Sequence, residues 1–105
     1  MENKPNTVAQ FAQVKALCRS VFEKKMLDYG TSWRVMRPSS LTDQIYIKAK
    51  RIRTLEEKGE DHAAVNEGIE PEFIGIINYC TMALIQLKLG PGDPLEPKKA
   101  LHLYD

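Results

Sequence analysis

Residues 71–94 read PEFIGIINYCTMALIQLKLGPGDP. Proline suits the first turn of a helix, where its missing N–H leaves no bond unmade. Glu70 and Glu72 flank it where negative charge complements the helix dipole. From Phe73 to Leu89 apolar residues occupy nearly every side, interrupted by Gly75, Asn78, Thr81, Gln86 and Lys88. A helix apolar all round belongs at the centre of a bundle or at an oligomer interface. Gly90-Pro91-Gly92-Asp93-Pro94 then breaks the chain. No strand pattern competes anywhere, so this segment sets the fold class: all-α, three main helices in a small bundle, completed by dimerisation or by a second repeat.

Upstream, the spacing predicts two more helices. Ser40 is an N-cap with Asp43 at the third position, an acidic variant of the capping box. Ile45, Lys48, Ile52 and Leu55 then follow one face, and Gly59 marks the stop. Glu60 to Gly68 is polar and without period, which predicts a flexible loop. The first helix runs from Thr7, its expected cap, to about Asp28. Val8, Phe11, Val14, Leu17, Cys18, Val21 and Phe22 recur at helical spacing and predict a core face. Gly30 ends it, since glycine takes the left-handed conformation without a Cβ penalty. Between the two helices, Thr31 to Ser39 forms a short turn that tucks Trp33 inward. Downstream, residues 93–105 read as a tail, or as the opening of a second repeat, after a single domain at 1–92.

Composition bounds the function. At 105 residues the chain is the size of one domain. With 43% hydrophobic residues its core is modest. A domain this short buries only about two-thirds of its unfolded surface, so a homodimer or a repeat–repeat pair is expected. Lys+Arg total 15 against 14 Asp+Glu, a formal charge of +1. That balance favours neither nucleic acid nor a membrane surface. The basic run KAKRIR, Lys48 to Arg53, is followed at once by Glu56 and Glu57, which cancel most of its long-range field. Cys18 and Cys80 sit in apolar helical stretches and do not form a secreted disulfide framework. The opening MENKPNTVAQ lacks a signal-peptide core, and no uninterrupted apolar run approaches the ~18 residues that span a bilayer. The expected compartment is the cytoplasm.

Chemistry is sparse. The sequence has no Gly-rich phosphate loop, no Cys/His cluster and no nucleophile elbow. His62 and His102 have no partner at metal-ligand spacing. What remains are polar residues where packing alone would not put them. Asp28, in the last turn of its helix, opposes the dipole at a cost of up to ~1 kcal/mol. A metal ion, a cation or a ligand would compensate, or else a salt bridge to another helix or plain exposure. Lys48 falls on an apolar stripe with Arg51 beside it. Either their stems cover apolar surface while their heads stay wet, or the pair faces a pocket and holds a phosphate, Arg51 bidentately. Asn78 lies in an apolar helix and must find partners for its amide, structural or otherwise. Trp33 and Tyr29 either join the core or stack on a base.

Three ordered stretches carry a resemblance. EKKMLDYGTSWRV (Glu23 to Val35), SLTDQIYIKAKRIRTLEEKG (Ser40 to Gly59) and EGIEPEFIGIINYCTMALIQL (Glu67 to Leu87) resemble the nucleotide modification associated domain 1 family, formerly a domain of unknown function. Its pattern is matched by Lys25-Asp28-Tyr29-Gly30, by Asp43-Lys48-Arg51-Ile52 and by Asn78-Tyr79. The resemblance implies a bacterial or phage protein linked to nucleotide metabolism. More distantly, the motifs are similar to MazG-like all-α nucleotide pyrophosphatases, in which carboxylates on neighbouring helices hold Mg²⁺ against a nucleoside triphosphate. Gly75 stands where such relatives place an Asp, so the metal set is incomplete. Lys48 and Arg51 are then expected on phosphate, Asp28 and Asp43 on a cation, Trp33 or Tyr29 near the base, and Asn78 in the same cleft. The alternative is a non-catalytic interaction module that forms a helical dimer.

Overall fold

The computed structural model describes residues 6–59 and 62–105. Four α-helices follow in order: α1 (Thr7–Tyr29), α2 (Pro38–Lys58), α3 (His62–Leu89) and α4 (Pro97–Tyr104), with a 3₁₀ turn at Ser32–Val35. Among the described residues there is no strand, and the fold is all-α as expected.

Local signals set the helix ends. Asn6, not Thr7, caps α1, its Oδ1 accepting the Ala9 N–H at 3.1 Å. Gly30 closes it at φ 75° and donates its N–H to the Met26 carbonyl at 2.8 Å. α2 starts three residues earlier than expected, because Pro38 occupies its first turn and forces Arg37 into extended backbone. Ser40 and Asp43 therefore lie inside the helix and make no capping box. α2 stops at Gly59, whose backbone lies directly against the Val65 side chain, a closeness that only a residue without Cβ permits.

The largest departure from expectation is at α3. It begins at His62, so the supposed loop is mostly helix and Pro71 lies in the helix interior. An interior proline removes one i→i−4 bond at a cost of roughly 3 kcal/mol. Packing against α2 offsets it: Leu55 sits over Gly68 and Lys48 over Gly75, so the two helices form an antiparallel hairpin. The step Glu60-Asp61 and the side chain of His62 lie outside the described residues. With its early start, α3 reaches the length and composition of a membrane span over Ala64–Leu89, mean hydropathy 1.2. The expectation drawn from uninterrupted apolar runs is corrected to that extent.

The core lies where α1, the 3₁₀ turn, α3 and α4 converge. Phe22, Met26, Trp33, Ile85 and Ala100 form it. The Phe22 ring meets Trp33 edge-on at 6.0 Å and Tyr104 at 4.7 Å. The segment after residue 92, expected as a tail or as the opening of a second repeat, contains α4 and supplies Ala100 and Tyr104 to the core. Only Cys18, Phe22 and Met26 of α1 are buried. Val8, Phe11, Val14 and Leu17, expected to face the core, are exposed: the burial of α1 is confined to its second half, from Cys18 on.

A second anchor joins the 3₁₀ turn to the end of α3. Gln86, 1% exposed, donates from Nε2 to the carbonyls of Arg34 (2.8 Å) and Met36 (2.7 Å). Arg34, also buried, returns a bond from Nη1 to Gln86 Oε1 and another to the Gly90 carbonyl at 3.0 Å. Its cation therefore sits on the negative end of the α3 dipole. Gly90, at φ 77°, ends α3, and Gly92 comes so close that a Cβ there would stand 2.8 Å from Arg34 Nη2.

Candidate functional site

The α2–α3 hairpin and the middle of α1 enclose a cleft of about 580 Å³. α1 contributes Val21, Phe22 and Lys25, α2 contributes Lys48 and Arg51, and α3 forms the floor from Glu67 to Met82. Lys48 and Arg51 are three residues apart on one helix and so share a face. Both meet one carboxylate: Lys48 Nζ lies 3.4 Å from Glu72 Oε2, and Arg51 Nη1 lies 3.3 Å from Glu72 Oε1. Glu72 is largely buried, whereas Arg51 is exposed and keeps most of its donors toward the open side.

Gly75 makes this arrangement fit. A Cβ at that position would stand 2.7 Å from Lys48 Cε and 3.0 Å from Nζ. The space left by the missing side chain holds the lysine stem. The ammonium then reaches Glu72 on one side and lies 5.7 Å from the centroid of the Tyr79 ring on the other. A cation over an aromatic face contributes roughly 0.5–1 kcal/mol at an exposed site. Pro71, the one break in local helix rules, lies on the same wall. Such violations concentrate where a chain is shaped for something besides stability.

The residues singled out from sequence divide into two groups. Lys48, Arg51 and Asn78 do meet at the cleft. Asn78 is buried and its amide is spent on structure: Nδ2 donates to the Cys18 carbonyl at 3.1 Å and Oδ1 accepts from the Tyr104 hydroxyl at 2.9 Å. That hydroxyl, pushed above its ordinary pKa by burial, remains a proton donor. Asp28, Tyr29, Asp43 and Trp33 lie outside the cleft. Asp28 and Tyr29 are exposed one turn beyond Lys25, past the end of the groove. Asp43 is five residues before Lys48, which turns it roughly 140° away around the helix. Trp33 is 6% exposed and belongs to the core.

Lys25, Glu67, Glu70, Glu72 and Tyr79 line the cleft without having been singled out for it. Lys25 and Tyr79 belong to the same sequence motifs as Asp28 and Asn78. The glutamates were assigned to a loop and a helix start, an error that followed from the misplaced origin of α3.

These positions decide the metal question on the donor set. Asp28 and Asp43 do not converge, and among the described residues no group of three or more His, Cys, Asp or Glu is placed to hold an ion. Asp28 and Asp43, expected on a cation, both lie outside the residues that line the cleft. The cleft is instead a patch of mixed charge: three cations from α1 and α2 face three carboxylates from α3, above an apolar wall that includes Val21, Ile74 and Met82.

Fold and cleft together define an all-α domain with a charged groove between a helical hairpin and a third helix. The chain belongs to the nucleotide modification associated domain 1 family, whose sequence pattern matches residues 25–87, more than half of its length. The match starts at Lys25 on the cleft and takes in both helices of the hairpin almost completely, while α4 falls outside it. No curated protein and no solved structure matches the chain.

Proposed function

We propose that the cleft binds the phosphate groups of a nucleotide. The observation that carries this reading is the Lys48–Arg51 pair, seated on the single carboxylate of Glu72 at the edge of an open groove. One carboxylate cannot saturate an ammonium with three donors and a guanidinium with five. Glu72 and Gly75 hold the pair in place, and an entering phosphate takes the donors they leave unused, Arg51 in bidentate geometry. Lys25 adds a third positive charge from the facing helix. The apolar wall of Val21, Ile74 and Met82 suits the base and sugar. Membership of a family described as associated with nucleotide modification supports the ligand class.

In this reading Lys48 and Arg51 keep the role expected of them, and Asn78 shapes the floor while joining three helices. Tyr29 and Trp33 give way to the apolar wall as the surface for the base. The pyrophosphatase activity that the more distant resemblance implies needs carboxylates gathered from neighbouring helices around a divalent ion. The carboxylates of this cleft all come from α3, so the proposal is one of binding and orientation, with no step routed through a metal.

The test is thermal unfolding against a panel of ribo- and deoxyribonucleoside mono-, di- and triphosphates, with and without Mg²⁺. A ligand at 100 times its Kd adds about 2.7 kcal/mol, several degrees for a domain of this size. One nucleotide class should raise Tm by that amount. No shift with any of them would reject the reading.

A further inference from the structure

The face of α3 opposite the cleft carries its own pattern. Phe73, Ile77, Cys80, Leu84 and Leu87 follow one another at spacings of four, three, four and three residues. That is the 3.5-residue repeat of a helix seam packed against another helix. Among the described residues nothing covers it: Phe73 is 50% exposed, Ile77 42%, Leu84 66% and Leu87 69%, and Cys80 is exposed as well. At about 100° per residue the stripe lies roughly half a turn from Gly75, so α2 and α1 occupy the other side of the helix. Single exposed apolar residues are ordinary, but a continuous seam of five marks an interaction surface.

The size of the molecule indicates what covers the seam. Its radius of gyration is 15.8 Å, against about 13 Å for a compact domain of this length. Its accessible surface is 7951 Å², roughly 2,000 Å² more than a compact 12.0 kDa monomer exposes. A stable interface takes about 800 Å² from each partner, so the excess is enough to supply one.

We infer that a second copy of this chain docks here, α3 against α3, antiparallel about a two-fold axis at Cys80. The stripe is nearly symmetric about that residue, with Phe73 and Leu87 each seven positions away. Antiparallel pairing therefore sets Phe73 against Leu87 of the other copy and Ile77 against its Leu84. It also places the positive N-terminal end of each α3 beside the negative C-terminal end of the other. Thr81 and Ala83 flank the axis and are small enough to let the two backbones approach. The surface is self-complementary, as a two-fold interface requires. It lies away from the cleft, so this inference stands independently of the nucleotide reading.

Sedimentation equilibrium of the whole chain at micromolar concentration, together with mild oxidation, tests it. The expected mass is twice the 12.0 kDa of the chain. Leu84→Asp should return it to the single-chain mass with unchanged helical circular dichroism, since Leu84 is exposed within one copy. Mild oxidation should give a covalent dimer through Cys80, lost in Cys80→Ser, whose sedimenting mass stays that of a dimer. A monomer at 100 µM would overturn the inference. So would a dimer indifferent to Leu84→Asp, or a dimer that oxidation fails to cross-link. A monomer that floats with phosphatidylcholine vesicles would overturn it too, giving the seam to a bilayer instead.

Discussion

Gln86 shows how much one side chain decides in so small a core. Its amide holds the Arg34 and Met36 carbonyls while its oxygen receives the Arg34 guanidinium, so a single residue locks the 3₁₀ turn onto the end of α3. Leaving a buried polar group without its partner costs about 1–3 kcal/mol, and more when it is charged. Gln86→Leu matches the apolar surroundings but orphans part of Arg34, so equilibrium unfolding in urea should show a loss of about 3 kcal/mol. A loss below about 1 kcal/mol would mean that water or a rotated Arg34 replaces the bonds. Sequence reading noted Gln86 only as an interruption. Its partner lies 52 positions away, a separation that no helical period reports. Lys48 was the opposite case. A lysine on an apolar stripe is a local anomaly, visible from spacing alone, and it led to the cleft.

At the scale of elements, the fold class and the three long helices are legible because α1 and α2 carry apolar residues at helical spacing, α3 is apolar on nearly every side, and a glycine follows each. Their starting points were less so. Pro38 and Pro71 are the same residue type in opposite roles, one opening a helix and the other inside one, and only tertiary contact separates them. The first turns of α3 have few apolar residues and form because Val65 and Gly68 pack against the end of α2. α4 was missed because its burial depends on Phe22, far earlier in the chain. It is tied down at its end by Arg19, which donates from Nε and Nη2 to the two carboxylate oxygens of Asp105 at 2.7 and 3.0 Å. Those hydrogen bonds hold the Asp105 carboxyl below its ordinary value. A lowered carboxyl pKa stabilises the folded state fully above the unfolded value, about 3.9, and loses that contribution as pH falls through the folded one. Hydrogen exchange of the α4 amides should therefore be independent of pairing-linked pH effects near neutrality and should accelerate anomalously in acid. In Asp105→Asn the same amides should exchange faster already at pH 7. Identical protection in both proteins would show that the pair does not anchor α4.

Across the whole molecule, α3 serves two surfaces. Its inner face builds the cleft with α1 and α2, and its outer face presents a seam with no partner among the described residues. Composition suggests a core completed by pairing, and the inferred docking of a second copy would put that pairing on α3. The cleft itself was half legible. The basic pair on α2 is visible from its place on a helical stripe, and the acidic wall is not, because a helix begun at Pro71, nine residues after the true start at His62, gives those glutamates no common face. Of the three cations at the cleft, Lys48 and Arg51 already engage Glu72. Between these two, Arg51, its side chain 59% exposed against 21% for Lys48, is the more open to a ligand. The most direct measurement is calorimetric titration of a nucleoside triphosphate into the wild-type chain and into Arg51→Ala. Saturable binding by the wild type, weakened at least tenfold in a variant whose helical content and Tm are unchanged, is the predicted result, a difference of about 1.4 kcal/mol or more. Equal binding by the two proteins, or none by the wild type, would contradict it.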